Sequence, residues 1–443
     1  MGIEKNDPKE RLMKKILFLS YYWPPSGGAG VQRALKFMKY FREFKIDPTL
    51  ITVDEKVASY PLRDDSLLDD VDKDLKVIKT KSFEPLSWYK RLNKKKEIPY
   101  AGFVNINKDK PFQKLSRFIR GNLFIPDARV GWVKYATKAA INALKDDPEV
   151  IITTSPPHSS QLAGLKLKKK TGLPWIADLR DPWTDIFYYK DFYHLPFAKR
   201  KDANYEREVL ENADRIIVTS QATKELYLTK TDKIKADKIS VIPNGYDEAD
   251  FDMPTSFPDK EFVITYSGTI ADLYDIDAFL KSLKVLKDEF TDVPIKLRFV
   301  GKVSEGIKQK IKENDLLENC EFTGYVSHKE AVAYLLRSSI LLIVIPKIEN
   351  NEGIVPGKIF EYLAAKRPVV CIGPENCNVG EFITECESGS TFDYGNNNVE
   401  TYLREQILKW KENPSLQIEN DKHLKYSRRM LTGKLAQIIN EIS

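Results

Sequence analysis

The sequence is poor in cysteine, in long apolar runs and in net charge. Its four cysteines (Cys320, Cys371, Cys377 and Cys386) lie in the C-terminal part at no zinc-like spacing. They read as reduced core or loop thiols of a cytosolic chain rather than a zinc site or a disulfide framework. The longest apolar run, Ile340 to Ile345, is far too short to span a bilayer. Charges crowd the N-terminus (Glu4, Lys5, Asp7, Lys9, Glu10, Arg11), which reads against a signal peptide. Residues 1–12 are expected to form a disordered tail. A net charge of +6 over 443 residues is too small to argue for nucleic acid. Asp70, Asp72 and Asp74 alternate, but no glycine or glutamate follows where a calcium loop needs them. They read as a solvated loop, and neither metal nor cofactor is expected.

What is present is a repeating unit. The length argues for two domains. Lys15 to Ser20 is a short apolar strand running into Tyr21–Ser26 and then Gly27, Gly28, Ala29 and Gly30, with a helix from about Val31. Strand, glycine loop and helix open a doubly wound sheet, and Gly28 and Gly30 are placed to approach a phosphate. A dinucleotide site fits poorly, because the loop is long and Arg33 takes the third glycine position. Strands follow at Pro48–Val53, Lys76–Thr80, Glu149–Thr153, Pro174–Asp178, Arg215–Thr219 and Ile239–Ile242. His158 follows one of these and Arg180 and Asp181 another, at the strand ends where α/β sites form. A structural histidine and an Arg–Asp pair pinning the loop are the plainer alternatives.

After a linker at 249–260 the pattern restarts. Phe262–Ser267 leads to Gly268 and Thr269, Leu297–Val300 to Gly301, and Glu321–Thr323 to Gly324, Tyr325 and Val326. Each loop follows a strand's carboxyl end, so all lie at one sheet edge. The stretch from Asn350 to Val370 then runs from a glycine loop through a short helix into the strand Val369–Ile372. Gly353 and Gly357 let the backbone turn closely around a ligand. Lys358 and Glu361 share one helix face near its N-terminus. That pattern suits a diphosphate beside the amine and ribose hydroxyls on the carboxylate. An ordinary helix start with a surface Lys–Glu pair is the alternative.

This stretch resembles the nucleotide-binding segment of family-4 retaining glycosyltransferases of the GT-B fold, of the bacterial surface-polysaccharide type. Asn244–Asp247 resembles the turn that ends that family's first domain. The resemblance implies an α/β, GT-B architecture: two Rossmann-like doubly wound domains facing across a cleft. It implies an acceptor domain at 13–248, a donor domain at 261–424, and a C-terminal helix at 425–443 that returns to the first domain. It also implies that Glu361 holds the donor ribose, that Lys358 meets the diphosphate, and that the anomeric configuration is retained. Gly28, Gly30, Gly268, Thr269, Val326, Ile354, Val355 and Gly357 complete the expected donor site. Arg180, Asp181 and Lys358 are the expected catalytic residues, with Arg33 and His158 on the acceptor side.

The sequence departs from the family's pattern in three places. The usual first glutamate falls on Gly353, with Glu352 one place early, so the N–H groups of Ile354 and Val355 are expected to serve instead. Arg180 stands where the family carries histidine. Ile270–Ala278 holds no cation where relatives place a basic pair. That leaves Lys358 and loop amides, with Arg180 or Arg33, to neutralise the diphosphate.

The segment Lys81–Tyr135 differs in character. It has thirteen Lys or Arg, four acids and ten aromatics, which suits either a membrane interface or a solvated basic insertion. The resulting expectation is a hexosyltransferase using a nucleotide sugar, UDP-linked as the commoner kind. Its acceptor would be a glycan, lipid-linked, at the inner face of the cytoplasmic membrane. A nucleotide-sugar 2-epimerase on the same fold and a non-catalytic membrane-associated scaffold remain as alternatives.

Overall fold

Short apolar runs punctuated by Gly, Ser and Pro become strands, most of them buried at their centres. Near-continuous apolar strands are what a sheet covered on both faces requires. The computed structural model describes residues 13–84, 111–253, 260–415 and 417–443. Of the basic, aromatic segment Lys81–Tyr135, residues 85–110, with the lysine run Lys94, Lys95 and Lys96, lie outside these residues. The first sheet holds β1 (Lys14–Leu19), β2 (Ile46–Val53), β3 (Lys76–Thr80), β4 (Val150–Ser155), β5 (Trp175–Leu179), β6 (Arg215–Val218) and β7 (Ile239–Val241). Its order is β3-β2-β1-β4-β5-β6-β7, and its paired strands run parallel. Phe18 of β1 stands opposite Leu50 of β2 on one side and Ile152 of β4 on the other.

The second sheet holds β8 (Phe262–Ser267), β9 (Ile295–Val300), β10 (Cys320–Gly324), β11 (Ile340–Val344), β12 (Val369–Ile372) and β13 (Gly389–Phe392). Its order is β10-β9-β8-β11-β12-β13, again with parallel neighbours. Strand order reverses between β1 and β4 and between β8 and β11. Crevices at the carboxyl ends of such strands are where doubly wound sheets bind ligands. The expected class, two Rossmann-like parallel sheets with helices, is the one observed.

The chain crosses back at its end. The backbone N–H of Arg428 donates to the Tyr246 carbonyl at 2.7 Å. The helix Arg428–Ile442 then sinks Leu431, Leu435, Ala436 and Ile439 into the apolar cluster of the first sheet. Cys371, Cys377 and Cys386 are buried free thiols and Cys320 is half-buried. The alternating aspartates are engaged by basic side chains, Asp70 by Lys36 and Asp72 by Arg42. No helix of the described residues is long and apolar enough to cross a membrane.

Candidate functional site

On the second sheet the site grows from the end of β8. Gly268 leaves that strand with φ +103, and Gly301 after β9 has φ +137. A Cβ on Gly301 would stand 2.3 Å from the Gly268 carbonyl oxygen, so this close backbone approach requires glycine. Thr269 follows, exposed, and its carbonyl accepts the Tyr266 hydroxyl at 3.0 Å. Gly357 precedes the seven-residue helix Lys358–Ala364. From there the Lys358 side chain reaches back to β8. Its Nζ donates to the Ser267 carbonyl at 2.7 Å and lies 3.7 Å from the centre of the Tyr266 ring. The same atom is 3.4 Å from where a Cβ on Gly268 would stand. Half-burial on this apolar shelf pulls the amine down to about 7, and Glu361 only partly opposes that.

Glu361, one turn on, is half-buried, and burial raises its carboxyl above the usual range. His328 and Arg428 oppose that rise, while Asp250 adds to it. Arg428 donates to the Gln32 amide oxygen at 2.8 Å and to the Gly245 carbonyl at 3.3 Å. His328 Nε2 pairs with Asp250 at 3.1 Å. Glu361 therefore sits near the junction of both halves. Sequence reasoning overlooked Arg428 and His328. For His328 a signal existed, since it lies just past β10 at the same loop edge. Arg428, at the start of the last helix, has no local signature.

One of the two amides expected to face the sugar is engaged within its own loop. The Ile354 N–H is already bonded to the Asn351 carbonyl at 3.1 Å, so it closes its own loop rather than pointing at a ligand. The side chains of Ile354 and Val355 pack on the apolar cluster beneath. Val326 is half-buried and directly precedes Ser327, which with Glu330 forms a capping box on the helix His328–Leu336.

On the first sheet, Gly28 enters the helix Ala29–Phe41 with φ +101. A Cβ on Gly30 would stand 3.2 Å from Arg180 Nη1, so the glycine loop and the loop after β5 lie in contact. Arg180 pairs with Asp181 at 2.6 Å, and its carbonyl accepts the Thr219 hydroxyl at 2.7 Å. His158 stacks on Trp183 at 4.8 Å, and burial pushes its imidazole down to about 4, so it is neutral near pH 7. Trp183 is in turn held by Asp202 at 2.8 Å.

Arg33 sits elsewhere. It is 3% exposed, grips Asp178 with Nε at 3.1 Å and Nη2 at 2.8 Å, and donates from Nη1 to the Pro243 carbonyl at 2.8 Å. Those donors are spent on tying the first helix to β5 and to the turn after β7. The halves touch where the Ala222 N–H donates to the Asn378 side chain at 3.3 Å and Lys190 meets Glu349 at 3.4 Å. Among the described residues no cluster of His, Cys, Asp and Glu could hold a metal.

A model of glycosyltransferase family 4 matches residues 106–250, and one of glycosyl transferases group 1 matches residues 247–429. The chain is a family-4 glycosyltransferase of the GT-B fold. Among curated relatives, a Bacillus subtilis protein provisionally named as a teichuronic acid biosynthesis glycosyltransferase is 24% identical over 216 residues. That match covers 45% of this chain and 53% of the relative, so the chain spans about half the length of the relative it matches. A solved Rickettsia africae glycosyltransferase superposes with TM-score 0.58 at 18% identity, covering 97% of this chain and 98% of its own. The Anabaena protein HepE, in complex with UDP-glucose, superposes with TM-score 0.56 at 14% identity over 96% of this chain and 98% of its own. At such identities these two likenesses speak for the fold.

Proposed function

We propose that the protein transfers a sugar from a nucleotide donor, UDP-linked by preference, to a lipid-linked glycan acceptor, with retention at the anomeric carbon. One observation carries the reading. Lys358 sits half-buried at the end of β8, resting on a carbonyl and a ring, beside the glycine turn Gly268–Thr269. An amine so held is poised to exchange a carbonyl oxygen for a phosphate oxygen, and preorganised charge at a leaving group is a large catalytic effect. In this reading Glu361 accepts the ribose hydroxyls, and the backbone at Val326 faces the base. Arg180, across the cleft against Gly30 and steadied by Asp181, is the second cation for the departing diphosphate. The bond from the anomeric carbon to the diphosphate oxygen breaks. A bond from that carbon to an acceptor hydroxyl forms on the same face, and the hydroxyl proton leaves with the phosphate oxygen. His158, backed by the buried ring of Trp183, is the side chain against which the acceptor sugar is positioned.

We assign residues 261–424 to the donor and 13–248 to the acceptor, with the enzyme working at the inner face of the cytoplasmic membrane. The UDP-glucose bound by HepE supports uridine over guanosine. The test is a panel of UDP- and GDP-sugars incubated with lipid extract and read as nucleoside diphosphate release, with the product's anomeric configuration read by NMR. Release that depends on the extract, with retained configuration, is expected. Release without any acceptor would assign the chain to a 2-epimerase instead. Donor binding with no release would leave a scaffold.

A further inference from the structure

Two arginines of the first half stand apart from its other buried cations. Arg33, Lys36 and Lys39 are matched by carboxylates. Arg120 and Arg129 instead meet a carbonyl and two aromatic rings, and among the described residues neither makes an ion pair. Arg129 is 8% exposed. It donates from Nη2 to the Ser59 carbonyl at 2.6 Å and lies 6.0 Å over the Tyr21 ring. Arg120 lies 5.5 Å over the Phe192 ring. Its helix, Pro111–Leu123, is fixed at that end. A Cβ on Gly121 would stand 2.6 Å from the Phe192 carbonyl oxygen, and the Asn122 side chain accepts from the Leu195 N–H at 2.7 Å.

The Nε–H of each arginine is buried without a hydrogen-bond partner, and so is the Ser59 hydroxyl. Native structures leave few such groups, because an unpaired buried donor costs free energy, most of all a charged one. The two guanidinium groups also repel. After burial, Arg129 is the next cause holding the Arg120 guanidinium below its ordinary range. Burial lowers Arg129 in turn, and Tyr22, Tyr21, Glu84 and Asp127 more than offset it, all through space. An anion shared by the pair would accept from the orphaned N–H groups and cancel the repulsion, and the guanidinium fork suits phosphate and carboxylate alike. The pair adjoins the acceptor residue. Asp127 accepts from the Arg129 N–H at 2.8 Å and from the Ser159 N–H at 2.8 Å. Ser159 opens the helix directly after His158, and the Asp127 charge acts on both His158 and Arg120.

We propose that Arg120 and Arg129, with the Ser59 hydroxyl, bind an anionic group of the acceptor, a phosphate or a carboxylate, beside the sugar that lies against His158. The proposal rests on the acceptor reading given above and adds the charge that the acceptor carries. The test uses the full chain with saturating UDP, so that the donor's own phosphate site is filled. Inorganic phosphate and acetate are the probes, read as the thermal midpoint, which a ligand of the folded state raises with its concentration. One or both should raise it, and the stronger of the two names the group. Concentrated phosphate also stabilises folds by exclusion from their surface, so the variants decide. Arg120→Gln should weaken the affinity for the effective probe at least about tenfold, because a charged hydrogen bond is lost. Arg120→Lys should restore part of it, and Ser59→Ala should weaken it less.

Two readouts separate this role from a structural one. Without either probe, Arg120→Gln should keep or raise the midpoint, because the repulsion is relieved, whereas loss of a purely structural arginine would lower it. With a UDP-sugar and lipid extract, Arg120→Gln should raise the half-saturating amount of extract and leave that of the UDP-sugar unchanged. Equal protection of wild type and Arg120→Gln by both probes would overturn the site, as would a midpoint that falls in Arg120→Gln when no probe is present. Protection lost in the variant with an unchanged requirement for extract would overturn its assignment to the acceptor. A protein that fails to bind UDP would instead sink the donor-site reading, and phosphate or acetate protection lost in Arg120→Gln would still uphold the anion site.

Discussion

The two halves meet the cleft with the same architecture, parallel strand ends turning through glycines, yet they treat charge in opposite ways. In the first half the cations are spent on carboxylates. Arg33 holds Asp178 with both side chains 2% exposed. Lys36 and Lys39 converge on Asp247 and, with the Tyr40 hydroxyl, hold its carboxyl well below the usual range despite burial. Arg180, paired with Asp181 but with both side chains partly open to solvent, is an exception on this side. In the second half Lys358 rests on a carbonyl and a ring, and Glu361 sits half-buried with its carboxyl raised. A neutralised pair is scaffolding, because its electrostatic energy is already realised in the free protein. A half-desolvated amine or carboxylate with that energy unrealised can give it to a ligand.

The comparison is broken most severely by removing a committed charge. Arg33→Ala leaves Asp178 buried and unpaired, and truncating one partner of such a pair costs about 3–5 kcal/mol of stability. Urea unfolding should show the midpoint falling with an unchanged slope. If stability held within about 1 kcal/mol while turnover collapsed, Arg33 would belong with the reacting charges and the contrast would fail.

The opposite outcome is expected across the cleft. Lys358→Ala should leave folding nearly intact and slow transfer by about 2–4 kcal/mol, a factor of thirty to a thousand. Uridine, which carries no phosphate, should bind as before. A slowing under threefold would move the diphosphate to Arg180. Glu361→Ala should act on affinity. Loss of a charged hydrogen bond to the ribose is worth about 1.5–3 kcal/mol, so UDP binding by calorimetry should weaken at least tenfold. An unchanged constant for UDP and GDP alike would take Glu361 out of the donor site.

The contrast also marks how far sequence reading reaches. Strands such as Lys76–Thr80, Phe262–Ser267 and Val369–Ile372 could be read to the residue, because a buried parallel strand is a local apolar run. The strand Gly389–Phe392 escaped, since its sequence, GSTF, has only one buried residue and no run to see. The clustering of loops at one edge followed from topology alone. Which charge meets which did not. Arg33 and Asp178 are 145 residues apart, and Lys358 reaches a carbonyl 91 residues back. A local pattern offers Arg33 and Lys358 as equivalent cations near glycine loops, and only the tertiary partners separate them. The same holds for His158, whose place at a strand end was legible but whose stacking on Trp183 was not.

The finest test of the contrast is protonation. Burial draws the Lys358 amine down to about 7 in the free protein, whereas a bound diphosphate would favour the ammonium form strongly. Binding UDP should therefore take up a proton above neutrality. The sign follows directly. Below pH 7 the amine is already charged and affinity is greatest. As pH rises the protein must first be protonated, so affinity falls by up to about tenfold per unit, or about 1.4 kcal/mol. The fall continues until the amine's higher pKa in the complex is reached. The window from pH 7 to 9 lies above the terminal phosphate's own titration near 6, so that group does not interfere. Calorimetry of UDP in two buffers of different ionisation enthalpy gives the proton number directly. Uridine should show no uptake, and neither should Lys358→Arg, whose guanidinium stays charged throughout. If wild-type binding is equally flat from pH 7 to 9, Lys358 is already an ammonium in the free protein. Its energy would then be realised before the donor arrives, and the difference between the two halves would shrink to one of partners rather than of charge.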